Sequence, residues 1–150
     1  MRFLIVSGGE ATDEFVENVI KRGGYDVILA ADSGMDFLYR TKILPDIIVG
    51  DFDSVDPEVL EFFREHEEID ICALNPVKDD TDTEFAIRES IRRGATEITI
   101  IGGTGTRLDH VLGNISLLGI GLEEDVRMEL LDANNRIRMT DHSVVLKKKQ

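Results

Sequence analysis

Short apolar runs rich in β-branched residues recur along this chain, and a stretch with helical spacing follows nearly every one of them. "RFLIVSG" is followed by "TDEFVENVIKRGG", in which Phe15, Val16, Val19 and Ile20 share one face, Thr12 is placed to cap the start and Gly23 to end it. "DVILAAD" leads into "GMDFLYRTK", and "DIIVG" into a helix opened by Asp56 and Pro57, with Val59, Phe62 and Phe63 on its apolar side. "IDICAL" precedes "TDTEFAIRESIRRG", which carries a capping-box pair, Thr81 and Glu84, and ends at Gly94. "EITIIGG", "LDHVLGNISLLGIG" and "VRMELLD" complete the series. Continuous apolar strands cannot leave either face in water. The alternation therefore predicts a three-layer α/β domain: an open, mainly parallel β-sheet of about six strands with helices on both faces. The unit runs over residues 1–132. Residues 133–150, "ANNRIRMTDHSVVLKKKQ", break the rhythm and read as a linker or as the start of a truncated C-terminal β-rich domain.

Composition removes several classes of function. No apolar run approaches the roughly 20 residues needed to cross a bilayer. The N-terminus reads as a first strand and not as a signal peptide. A net charge of −13 argues against nucleic-acid binding, which calls for a basic surface. A single cysteine, Cys72, has no internal partner. It reads as a reduced, buried packing residue, and the expected location is the cytoplasm. Acidity does not exclude phosphate ligands, because divalent cations can lie between carboxylates and phosphates.

Ligands of open parallel sheets bind beyond the carboxyl ends of the strands. Five such ends carry glycines, carboxylates or both: Ser7-Gly8-Gly9, Ala31-Asp32-Ser33-Gly34, Gly50-Asp51-Phe52-Asp53-Ser54, Lys78-Asp79-Asp80-Thr81-Asp82, and the segment from Gly102 to His110. Asp51 and Asp53 can face one hard cation, or they can simply make an Asx turn ahead of Pro57. Asp82 falls in a first helical turn, where negative charge is favoured in any case. Lys78, Asp79 and Asp80 fit a solvated loop as well as a phosphate or metal site. Gly102, Gly103 and Gly105 allow backbone N–H groups to approach an anion, and Arg107 adds a planar cation suited to phosphate. A helix starting near Leu108 puts Asp109 with Gly113 and His110 with Asn114. His66 reads as a solvated helix position and His142 as a loop residue.

Four motifs in fixed order, "ADSG" (31–34), "PDIIVGDFDS" (45–54), "DDTD" (79–82) and "GGTGTRLDHVLGN" (102–114), resemble those of the catalytic domain of thiamin pyrophosphokinases. The resemblance implies transfer of pyrophosphate from ATP to the hydroxyl of thiamin, with Mg²⁺ as cofactor, ATP as co-substrate and a homodimer as the working assembly. It marks Asp51, Asp53 and Asp82 as metal ligands, and Asp82, Arg107 and Asp109 as catalytic. Asp32, Ser33, Gly34, Gly102, Gly103, Gly105, Thr106, Arg107, His110 and Asn114 become nucleotide or phosphate contacts. Ser33 stands where the family usually has glycine, and Asp36 where asparagine is common. Three other functions suit part of the pattern: a pterin pyrophosphokinase, a non-catalytic nucleotide sensor, and a haloacid-dehalogenase-type phosphatase whose nucleophile motif "DFDSV" imitates.

Overall fold

The computed structural model describes residues 1–74 and 81–148. Its elements run β1 (Arg2–Val6), α1 (Asp13–Gly23), β2 (Val27–Ala31), α2 (Gly34–Thr41), β3 (Ile47–Gly50), α3 (Pro57–Arg64), β4 (Asp70–Ala73), α4 (Asp82–Arg92), β5 (Glu97–Ile101), α5 (Leu108–Glu123), β6 (Arg127–Leu131) and β7 (Arg136–Ile137). Among the described residues the sheet has seven strands in the order β4-β3-β2-β1-β5-β6-β7. The first six are mutually parallel; β7 pairs antiparallel with β6 through Leu131↔Arg136 and Leu130↔Ile137. The additional strand arises because an Asp132–Asn135 turn folds the chain straight back onto β6, with Asp132 N–H donating to the Asn135 carbonyl.

Strand alternation divides the interior into two cores. Phe3, Ile5, Leu29, Ile98 and Ile100 face one side and pack with Ala86 and Ile87 of α4 and Leu118 and Ile120 of α5. Leu4, Val6, Ala30 and Ile48 face the other side, under Val16 of α1, Met35 and Leu38 of α2, and Val59 and Phe63 of α3. A fully buried side chain of this size contributes about 1.5–3 kcal/mol. A one-residue slip would exchange the two faces of a strand, so the register is strongly specified.

The helix ends follow the sequence with small shifts. Thr12 accepts from the Phe15 N–H, Asp56 from the Glu58 N–H, and Thr81 from the Glu84 N–H. The α1 stop is Gly24 in the left-handed conformation, one residue past Gly23. Only half of the predicted capping box forms, because the Glu84 carboxylate pairs with Arg88. His66 lies just beyond α3, not within it. It is half-buried against Phe62, with Nδ1 2.9 Å from the Phe62 carbonyl. Cys72 is half-buried on edge strand β4 and not fully buried, and Asp70 and Arg93 flank its sulfur. Among the described residues no helix is long and apolar enough to cross a membrane.

The far end of α4 is held to that edge strand by charge. Glu89 is 8% exposed and receives Arg92 and Arg93, while Arg93 also reaches Asp70 of β4. Hydrogen bonds from Arg92 hold the Glu89 carboxyl down at about 2, against the opposing effect of burial. The folded value lies below the unfolded one, so the pairing stabilises above about pH 4.5 and is lost as pH falls toward 2. Glu89→Gln is expected to destabilise by about 1–3 kcal/mol at pH 7. In urea titrations its deficit relative to the unsubstituted protein should shrink at pH 3.

Candidate active site

The connections leave β1 and β5 in opposite directions. From β1 the chain proceeds to β2, β3 and β4, and then α4 carries it back to β5 on the other side of β1. A crevice opens at such a reversal. Here it is a cleft of about 830 Å³ lined by Ser7–Glu10, Ala31–Ser33, Thr81–Glu84, Gly102–Arg107 and the first turns of α5.

Glycines let two loops meet at its floor. A Cβ on Gly102, at φ 70°, would run into the Ser7 carbonyl, and one on Gly34 would run into the Val6 carbonyl. The Gly9 N–H donates to the Gly102 carbonyl at 2.6 Å, and the Glu10 N–H to the Thr104 carbonyl at 3.0 Å. Ser33 occupies the space in which a side chain at Gly8 would lie, which accounts for a serine fitting at this point. Ser7, 4% exposed, shares a 2.9 Å hydrogen bond with Thr83 and joins the end of β1 to the start of α4. Only its place at a strand end marked Ser7 in the sequence.

The acidic side of the cleft is built around Asp32. Its backbone is left-handed, at φ 47°, held by donation from its N–H to the Val49 carbonyl. Ser54 donates weakly to Oδ2 at 3.4 Å, while Oδ1 is buried without a hydrogen-bond partner among the described residues. Burial, then the charge of Asp51, raises the Asp32 carboxyl. Asp82, at the mouth of α4, is pushed to about 6 by burial, then by the charges of Asp32 and Asp51. Among the charges that raise Asp82, that of Asp32 comes ahead of that of Asp51.

Asp51 and Asp53 lie on the neighbouring turn, exposed and outside the cleft lining. The turn passes through Phe52 at φ 63°, and the Asp53 N–H donates to Asp51 Oδ1 at 3.0 Å, so an Asx turn is present. Gly34 also stays off the lining and serves close packing of α2. Among the described residues no three carboxylate, imidazole or thiolate groups are closed into a coordination site. A crowd of acids with a buried, unpartnered oxygen nevertheless has the chemistry of a divalent-cation site.

Across the cleft, Arg107 and Asp109 form an exposed pair at 2.6 Å, and Arg107 lowers the Asp109 carboxyl. His110 is exposed on the same rim. Asn114 donates to the Gly103 carbonyl at 2.7 Å and so holds the glycine-rich loop. Lys78, Asp79 and Asp80 lie outside the described residues.

Residues 22–130 match the family model described as thiamin pyrophosphokinase, catalytic domain. The chain belongs to that family. It is 35% identical over 114 residues to a thiamine pyrophosphokinase of Bacillus subtilis, covering 74% of this chain and 51% of that protein. The crystal structure of a Bacillus subtilis thiamine pyrophosphokinase superposes with a TM-score of 0.77 at 27% identity, covering 92% of this chain and 63% of that one. A thiamin pyrophosphokinase family protein of Enterococcus faecalis gives 0.74 at 34% identity, covering 92% and 64%. The chain thus spans about half the length of the Bacillus subtilis relative, and less of two plant relatives named thiamine pyrophosphokinase. Family membership removes the phosphatase alternative; "DFDSV" also follows the third strand and lies beside the cleft, not at its centre.

The crowding of acids has a measurable cost. Asp82 titrates near 6, above an unfolded value near 4. Its effect on stability is therefore favourable below about pH 4 and is lost as pH rises through 6. Asp82→Asn is expected to stabilise the ligand-free fold by about 1–2 kcal/mol at pH 7, after allowing for the helix dipole. Urea titrations at pH 4 and pH 7 test this, and the gain should largely vanish at pH 4.

Proposed function

We propose that this chain carries the nucleotide- and metal-binding site of a thiamin pyrophosphokinase, which transfers pyrophosphate from ATP to thiamin and releases AMP. The observation that carries the reading is the juxtaposition, across one cleft at the β1/β5 reversal, of a glycine-rich loop ending in Arg107 with the carboxylates Asp32 and Asp82. A polyphosphate needs N–H groups and a guanidinium on one side and cation-holding carboxylates on the other.

Asp32, Asp51 and Asp82 would hold Mg²⁺, and Asp53 shapes the turn that carries Asp51 as well as adding charge. Bound Mg²⁺ supplies charge neutralisation for the phosphate oxygens. The thiamin hydroxyl oxygen bonds to the β-phosphorus of ATP while the bond from that phosphorus to the bridging oxygen of AMP breaks, and the hydroxyl proton is released to water. Gly102, Gly103, Gly105 and Thr106 would cradle the phosphates, with Arg107 turning from Asp109 toward the negative charge of the transferred group. Asp109 would orient Arg107 and the attacking hydroxyl. His110 and Asn114 complete the rim.

A homodimer is part of the same reading. Leu108 and Leu112, 73% and 64% exposed on α5 beside the cleft, supply apolar surface for a second copy. The cytoplasmic location is likewise part of it, supported by the single free thiol.

AMP is expected to form from ATP only when thiamin and Mg²⁺ are both present with the complete protein. A chromatographic assay with thiamin and a pterin alcohol as competing acceptors tests this. AMP formed with the pterin alone, or ATP bound without turnover, would reject the thiamin reading. Asp51→Asn and Asp53→Asn are each expected to weaken Mg²⁺-dependent nucleotide binding at least tenfold while the protein stays folded. Calorimetry with Mg-ATP measures both.

A further inference from the structure

Asp132 follows β6. It lies outside the cleft, outside the four motifs and beyond the matched segment 22–130. Its two oxygens nevertheless have separate tasks. Oδ1 accepts from the N–H groups of Asn134 and Asn135 at 2.8 and 2.6 Å and closes the turn into β7. Oδ2 accepts from the Thr104 hydroxyl at 2.9 Å, and the Asn135 side-chain amide lies 3.1 Å from both oxygens. Burial alone would raise this carboxyl; the hydrogen bonds outweigh it and the carboxyl is lowered.

Thr104 stands in the middle of the loop from Gly102 to Arg107. Other tethers reach that loop from residues of the cleft itself, among them Gly9 N–H to the Gly102 carbonyl, Asn114 to the Gly103 carbonyl, and Glu10 N–H to the Thr104 carbonyl. Asp132 reaches it from behind, through a side chain. The sheet sets this up, since Ile101 and Leu131 are register partners and the loop and Asp132 leave adjacent strands side by side.

We infer that Asp132 is a positioning residue: through Thr104 it fixes the shape of the glycine-rich loop and couples that loop to the β6–β7 turn. The consequence for phosphate binding rests on the nucleotide reading above. An amide at this position has one acceptor oxygen. With that oxygen on the turn, the NH2 of Asp132→Asn opposes the donor amide of Asn135 and keeps Thr104 only by reversing the hydrogen bond, which weakens the tether.

The test uses Asp132→Asn, Thr104→Val, Thr104→Ser and the double variant Asp132→Asn/Thr104→Val. Amide hydrogen exchange of residues 102–107, measured without ligand, is expected to quicken about five- to tenfold in Asp132→Asn and Thr104→Val. It should be no faster in the double variant and should return to the original rate in Thr104→Ser. The KM for ATP should rise by a similar factor, with kcat changing less. Unchanged exchange in the loop, or additive effects in the double variant, would overturn the inference. Faster exchange with an unmoved KM would overturn its link to the nucleotide. If the unsubstituted complete protein makes no AMP, the proposed activity fails while exchange still decides the tether.

Discussion

Between β1 and β5 two parallel strands run in register from Arg2↔Glu97 to Val6↔Ile101, and beyond that last pair their chains part. The connection after β1 crosses one face of the sheet through α1, while α5 leaves β5 on the other face. The gap between them is the cleft, and its floor exists only because Gly9 and Gly102 allow backbone to lie against backbone. Ser7 and Thr83 bring α4 to the same place, so the N-terminal turn that carries Asp82 is set by the pairing of two strands remote from it in sequence.

That arrangement places negative charge where the fold by itself does not want it. Asp32 adopts a left-handed backbone, leaves one buried oxygen without a partner among the described residues and faces Asp51 and Asp82. A residue forced into this region costs of order 1–3 kcal/mol and persists only where its surroundings hold it. The two cores hold it, as does the ion-paired end of α4, where Glu89, Arg93 and Asp70 join helix to edge strand. Repulsion at the Asp82 end of α4 is set against satisfied charges at its other end. This is the pattern expected when a ligand, and not the protein, completes the electrostatics of a site.

Much of the fold was legible because its signals are local. A cap such as Thr12 or Asp56 acts within three residues, and strand alternation is a property of neighbouring positions. Legibility failed where a second local partner competed or where strand order set the exposure. Glu84 was taken by Arg88 instead of closing its capping box, and Cys72 stayed half-exposed because β4 is an edge. The short β7 strand was hidden because two residues carry no periodicity; the Asp132–Asn135 turn makes it. In the site, the glycine-rich loop and Arg107 could be read from residue type and spacing. That Asp32 would be the acid nearest in charge to Asp82 could not, since the order of strands in the sheet brings those two segments together.

The amino-acid sequence alone determined that strands and helices would alternate, which faces they would bury, and that glycines and acids would gather at the carboxyl ends of the strands. Each of those follows from side-chain chemistry at short separation. Only the tertiary structure decided which ends share a cleft, because strand order depends on connections that no local pattern encodes. It also set apart in space acids that look alike in sequence. Asp51 and Asp53 form a turn beside the cleft, while Asp32 and Asp82 face each other within it, and Asp132, in no motif at all, holds the loop opposite.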